Sequence, residues 1–161
     1  MRGLFLFVTG VLVGLGMQAV LAQNETSGVI LNHVGLAVPS VSDAAAFYTQ
    51  KMGFKEAFRQ SDPQGNPTSM YLQISKNTFL ELQQANAQRP AGVTHFGLEA
   101  PNIKNAVAFF KQHGAMATDP GAPSGFSHAI LASVTDLNGL RIELAELGPE
   151  SLQRKAIDAW K

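Results

Sequence analysis

Two histidines and two glutamates recur in this chain at one fixed distance. His33 and His95 are 62 positions apart, and so are Glu81 and Glu143. Imidazole nitrogens and carboxylate oxygens together suit a divalent metal such as Zn, Ni, Co, Mn or Fe. Four protein donors leave room for substrate in an octahedral site, and an open position is what separates a catalytic metal site from a closed structural one. A metal so held polarises a substrate oxygen, and a carboxylate beside it moves a proton. One histidine in a strand is ordinary core or rim. The chain has only four histidines, however, and placing two of them at matched points beside two matched carboxylates argues for a shared site.

The matches extend beyond the four residues. Leu31-Asn32-His33-Val34-Gly35-Leu36-Ala37-Val38-Pro39 returns as Val93-Thr94-His95-Phe96-Gly97-Leu98-Glu99-Ala100-Pro101, and Phe79-Leu80-Glu81-Leu82 returns as Arg141-Ile142-Glu143-Leu144. A repeat of this length makes each copy one supersecondary unit. In the first copy, residues 29–38 are β-rich. Ser40 or Ser42 caps a helix over residues 43–51, with Ala44, Phe47, Tyr48 and Met52 on one face and Gly53 as its stop. Residues 55–59, 69–74 and 78–83 read as strands, the last two joined by a hairpin at Ser75-Lys76-Asn77. A polar linker with Pro90 follows.

The order then restarts. Residues 93–100 read as a strand. Asn102 caps a helix with Ala106, Val107, Phe109 and Phe110 on its apolar face, ended by Gly114. Residues 115–118, 128–134 and 140–145 are strands, with a hairpin turn at Asp136-Leu137-Asn138-Gly139. Residues 149–161 form a terminal helix whose inner face is Leu152, Ala156, Ile157 and Trp160. The expected fold is therefore α+β, two tandem βαβββ modules (29–88 and 93–148) within one domain over 29–148.

Strand parity gives the carboxylates a direction. In Leu80-Glu81-Leu82-Gln83 the leucines face one way and Glu81 and Gln83 the other, and Glu143 alternates likewise with Ile142 and Leu144. The greasy faces belong under the helices. The other faces present the carboxylates, beside first strands that carry His33 and His95 next to Gly35 and Gly97. A glycine within a strand often marks the close approach of a ligand or another backbone.

The composition, 45% hydrophobic and 15% charged, is that of a globular protein. Lys+Arg and Asp+Glu balance at 12 each, so there is no global field to attract nucleic acid or an anionic membrane. Cysteine is absent, which excludes disulfides, thiol catalysis and thiolate ligands. After Arg2, residues 3–20 are uncharged and mostly apolar, and Val20-Leu21-Ala22 places small or modest residues where a signal peptidase reads. This is the pattern of a secretory signal over 1–22 and a leader over 23–28, hence of export to the periplasm or beyond. An uncleaved anchor is the rival reading, since the apolar stretch approaches spanning length. Asn24-Glu25-Thr26 matches a glycosylation sequon that needs a eukaryotic host.

His33 to Pro39, followed by Ala46-Phe47-Tyr48 and Met52-Gly53-Phe54 and then repeated, resembles the vicinal oxygen chelate superfamily, which spans glyoxalase I, methylmalonyl-CoA epimerase, extradiol dioxygenases and the fosfomycin- and bleomycin-resistance proteins. The resemblance covers residues 30–147. It implies a half-open barrel around a divalent metal, with the four metal positions on His33, Glu81, His95 and Glu143. It further implies a lyase or isomerase of glyoxalase type, acting through an enediolate on a small substrate with adjacent oxygens, with Glu143 as the proton-moving ligand.

Members fit unequally. Bacterial glyoxalase I carries an arginine four residues after its first histidine, gripping glutathione, where this chain has Ala37. The epimerase usually has Gln where Glu81 stands. Extradiol dioxygenases use a His-His-Glu set with a further histidine and tyrosine that find no match here. Antibiotic-binding members often lack the ligands. A non-catalytic small-molecule binder of bleomycin-resistance type is the alternative function, and an extradiol-type dioxygenase a third. His128 and Arg141 are candidate substrate contacts, Arg141 through an anionic group or merely through a carboxylate partner. His113 suits a helix C-terminus, and Phe126 with the loop over residues 119–125 suits a lid. A homodimer is compatible with the pattern, because sites within one chain and across two use the same four residues.

Overall fold

The computed structural model describes residues 27–161. The expected signal segment and most of the leader lie outside the described residues. Eight strands form one open sheet in the order β2-β3-β4-β1-β5-β8-β7-β6. The first module supplies β1 (Ile30–Val38), α1 (Val41–Met52), β2 (Lys55–Ser61), β3 (Pro67–Ser75) and β4 (Thr78–Gln84). The second supplies β5 (Gly92–Glu99), α2 (Ile103–Gln112), β6 (Met116–Ala117), β7 (Ile130–Thr135) and β8 (Arg141–Glu146). A last helix, α3 (Leu152–Asp158), follows. In each module the first strand pairs parallel with the last, and β1 and β5 pair antiparallel at the centre. The two copies thereby meet about an approximate two-fold axis between their histidine strands.

Local signals set the helix ends. Ser40 accepts from Asp43 N and caps α1, and Gly53 at φ 73° ends it in the left-handed region that glycine enters without strain. Asn102 and Ser151 cap α2 and α3 in the same way. The inner face of α1 differs from the expected one. Val41, Ala44, Ala45 and Tyr48 pack on the sheet, whereas Phe47 and Met52 are exposed. Residues 41, 44, 45 and 48 hold the helical spacing that starts at the first turn, and Phe47 falls outside that stripe.

Each module has its own apolar layer on the outer face. Beneath α1 lie Met70, Leu72, Leu80 and Leu82. Beneath α2 lie Ala132, Val134 and Leu144. A third apolar layer sits on the opposite face, where Tyr71, Phe79, Ala129, Ala145 and Leu147 pack around Ile157 of α3. Phe126 reaches Phe58 of β2 with ring centroids 5.4 Å apart. Contact between groups from opposite edges of the sheet requires it to curl, and the curled inner face is the concavity that α3 partly fills.

Candidate metal centre

The curl brings all four repeated residues of one chain together. His33 Nε2 lies 3.1 Å from His95 Nε2. Glu81 Oε2 is 3.2 Å from His95 Nε2 and 3.9 Å from His33 Nε2, and Glu143 Oε1 is 3.5 Å from His33 Nε2. Ligand atoms of His33, His95 and Glu143 all fall within 4.8 Å of one another. All four side chains are buried, both histidines to 1% exposure or less.

Register explains the convergence. His33 stands opposite Gly97 and His95 opposite Gly35 across β1 and β5. Glu81 is in register with Gly35 along β4, and Glu143 with Gly97 along β8. Each ring therefore lies over the other module's glycine. A Cβ at Gly97 would overlap the His33 ring, and one at Gly35 would overlap the His95 ring. The strand glycines are room for imidazole.

Neighbours hold the outer nitrogens. Asn32 Nδ2 donates to the Asn77 carbonyl at 3.4 Å, which leaves Asn32 Oδ1 facing His33 Nδ1 at 3.0 Å. An acceptor there demands Nδ1–H and leaves Nε2 of His33 as a bare lone pair. Burial above all holds His33 down to about pKa 4, against the pull of Glu81 and reinforced by His95 and Arg141, so it is neutral at pH 7. On the other side His95 Nδ1 meets Thr94 Oγ1 at 2.9 Å, Thr94 Oγ1 donates to Gln83 Oε1 at 3.4 Å, and Gln83 Nε2 donates to Glu81 Oε1 at 3.0 Å. This chain of polar groups ties a ligand of the second module to one of the first.

That donor set fits a divalent cation. Two carboxylates and two imidazole Nε2 atoms converge on one buried volume, and among the described residues the cation nearest to them is the guanidinium of Arg141. With a metal held by both Nε2 atoms, Thr94 would accept from His95 Nδ1 and donate onward to Gln83.

The two carboxylates are not equivalent. Burial pushes Glu81 up, but its hydrogen bond with His95 and the electrostatic pull of His33 and His95, aided by Gln83, outweigh this and leave it below the usual range. Burial raises Glu143 above the usual range despite Arg141, whose Nη1 lies 2.9 Å from Glu143 Oε2. Two carboxyl groups whose environments push them apart is the arrangement that divides fixed charge from proton carrier.

Arg141 is half-exposed at the rim and pairs with Glu143. His128 is exposed, sits at φ 59°, precedes β7, which starts at Ile130, and stands outside the cluster. His113 caps α2, with Nδ1 on the Phe109 carbonyl at 2.8 Å. Phe126 reaches the inner face and packs near Tyr71, at 6.0 Å between ring centroids. Sequence reasoning missed Tyr71, which is buried, lies edge-on to His33 at 5.4 Å and stands opposite Glu81. Burial, then Glu81 and Glu143, raises its phenol far above the usual range. Counting back from the β3–β4 hairpin would have found it. Asn32 and Thr94, each directly before a repeated histidine, were visible as polar residues without an assigned task.

Comparison with known proteins agrees with this geometry. Residues 30–144 match the Glyoxalase/Bleomycin resistance protein/Dioxygenase superfamily. The chain belongs to this superfamily. Among curated proteins it is similar to an ethylmalonyl-CoA/methylmalonyl-CoA epimerase of Cereibacter sphaeroides, 28% identical over 131 residues that cover 73% of this chain and 97% of the relative. Among solved structures, methylmalonyl-CoA epimerase from Mycobacterium tuberculosis superposes with a TM-score of 0.62 at 19% identity, covering 74% of this chain and 89% of that one. The Streptomyces coelicolor methylmalonyl-CoA epimerase, solved in complex with 2-nitronate-propionyl-CoA, gives a TM-score of 0.62 at 17% identity, over 76% and 96% of the two chains. At such identities the structures establish the fold. Members of the superfamily usually use a divalent metal, and this chain holds a His33, His95 and Glu143 cluster with the donor types to bind one.

Proposed function

We propose that this protein is a divalent-metal-dependent isomerase or lyase of glyoxalase type, acting on a small substrate with adjacent oxygens. The observation that carries the reading is the convergence of His33, Glu81, His95 and Glu143 in one chain, with a neighbour on the outer nitrogen of each histidine. A bound divalent ion supplies Lewis acidity, which acidifies a C–H beside a substrate carbonyl. Glu143 takes that proton from carbon and returns it to the neighbouring atom or the opposite face, through an enediolate of the substrate. Its raised affinity for a proton suits that task. Glu81 remains an anion throughout and balances charge. Burial of all four groups excludes water that would quench the carbanionic species. Arg141 at the rim offers a charge for an anionic substrate group and tempers Glu143.

Similarity to an epimerase of CoA thioesters supports proton transfer beside a carbonyl as the reaction type. The N-terminal signal pattern points to export, where thioesters of CoA and glutathione are scarce, and Ala37 stands where a glutathione grip would be. These features favour a small free acid or ketone as substrate.

Metal content of the purified mature protein after reconstitution tests the reading first. Near one equivalent of Zn, Ni, Co, Mn or Fe is expected, and less than a tenth of an equivalent overturns it. With metal bound, NMR in D2O should detect exchange of the C–H next to the carbonyl in candidate 2-oxo and 2-hydroxy acids. Glu143→Gln should abolish that exchange. Ligand binding without exchange in the wild type would instead identify a binding module.

A further inference from the structure

The four candidate ligands obey the repeat, and so do Asn32 and Thr94 on the outer histidine nitrogens. The residues that flank the carboxylates break it. The distance of 62 positions that relates His33 to His95 also relates Tyr71 to Ser133 and Phe79 to Arg141. Tyr71 stands opposite Glu81 across β3 and β4, and Ser133 stands opposite Glu143 across β7 and β8. Residues directly opposite in a sheet project from the same face. Met70 and Leu72, either side of Tyr71, go to the layer under α1, and Ala132 and Val134, either side of Ser133, go to the layer under α2. Tyr71 and Ser133 therefore project into the concavity from equivalent places, each beside its own module's glutamate.

The two places are filled differently. Tyr71 is 3% exposed and Phe79 0%. The Tyr71 ring stacks on Phe58 at 4.6 Å between centroids and meets Phe79 at 6.1 Å, with Phe126 and Ile157 of α3 in the same layer. A close-packed layer of this kind leaves no room for a ligand. On the other side Ser133 is partly exposed, the Arg141 side chain is 45% exposed, and Thr135, opposite Arg141, is exposed. The glutamates themselves are equally buried, so the asymmetry lies in their neighbours. Aromatic rings and a helix cover the side of Glu81, whereas small and polar residues border the side of Glu143.

We propose that this pair gives a near-symmetric site its direction: Tyr71 closes the Glu81 side, and Ser133 leaves the Glu143 side open for the substituent that a substrate carries beyond its adjacent oxygens. Ser133 is then a specificity-determining residue, whose size sets how large a substituent the site admits. The proposal rests on the metal-dependent reading above and adds to it the place and size limit of the substrate's substituent. Glu143 becomes the proton carrier through access to the substrate, in addition to its own chemistry.

Hydroxamates test this, because they chelate through two adjacent oxygens. On the Zn(II)-loaded protein, NMR should show contacts from the chain-end methyl of butyrohydroxamate to protons of Ser133 and Thr135. Contacts to the Tyr71 or Phe58 rings instead overturn the proposal, a result that needs no variant to fold. Calorimetry would then compare butyrohydroxamate with acetohydroxamate in Ser133→Tyr, which copies the first module's residue into the second. Affinity for butyrohydroxamate should fall about tenfold or more through overpacking, while acetohydroxamate binding and metal content stay as in the wild type. Ser133→Leu should give the same split in smaller measure. Undiminished butyrohydroxamate affinity in Ser133→Tyr overturns the proposal as well. If the wild type binds neither hydroxamate, the metal reading fails and takes this one with it; if it binds butyrohydroxamate with the chain against Tyr71, this one alone fails.

Discussion

Gly97 stands directly across the central ladder from His33, and its missing side chain is the space the imidazole occupies. Gly35 does the same for His95. The exchange is reciprocal: each module provides the floor for the other module's ligand. Gly97→Ala should therefore displace His33, lowering stability by about 1–3 kcal/mol through overpacking and weakening metal binding. Gly125→Ala, where a Cβ meets nothing within 4 Å, is the control. Urea denaturation together with metal titration reads both. Equal behaviour of the two variants would refute the role of Gly97.

The outer-nitrogen partners should tune affinity without abolishing the site. Asn32→Ala frees His33 Nδ1, and Thr94→Val breaks the path from His95 through Gln83 to Glu81. Loss of such a partner typically costs about 10–100-fold in metal affinity. Competition against a chromophoric chelator should show a loss of that order for each. Unchanged affinity in both would mean the histidines are oriented by packing alone.

Arg141 restrains the upward shift of Glu143. Arg141→Ala removes that restraint, so the carboxyl should keep its proton to higher pH. Because metal and proton compete for the carboxylate, the acid limb of metal binding should move to higher pH in the variant. A limb that stays in place or moves down would contradict the pairing.

Acid should destabilise the metal-free protein before carboxylates titrate fully. His33 is held at about 4 against an ordinary 6.5. Between these values the unfolded chain binds a proton there and the folded chain does not, so stability rises with pH across that window and is complete above it. The span corresponds to on the order of 3 kcal/mol. Glu143, raised when folded, acts in the opposite sense near its own range. Denaturation midpoints of metal-free wild type and His33→Gln from pH 4 to 7 should show the steeper rise in the wild type. Parallel curves would show that His33 is not held neutral by burial.

Much of the site was legible because a repeat and a period of two act together. Equal spacing in two copies identified His33, Glu81, His95 and Glu143 as a set, and alternation in β4 and β8 set the carboxylates opposite the leucines. The cap residues Ser40 and Asn102 were legible for the same local reason. Phe47, by contrast, is apolar and near the expected face of α1, yet it points to solvent, because the helix phase is set by Val41 at its first turn. His128 was expected at a strand start, but the strand begins later and the residue turns outward through a positive φ that a period of two does not register.

The sequence by itself determined which residues act together, how each module alternates between greasy and polar faces, and that any metal must sit among nitrogen and oxygen donors. These are properties of spacing and residue type, and they do not depend on where the chain goes next. Tertiary structure alone decided that one chain closes the site, since only the antiparallel meeting of β1 and β5 lays each histidine over the other copy's glycine. It alone brought Tyr71 to His33 and packed Ile157 of α3 against Tyr71 and Phe79. Contacts between residues so far apart in sequence arise from the curl of the sheet, which no local pattern in the chain records.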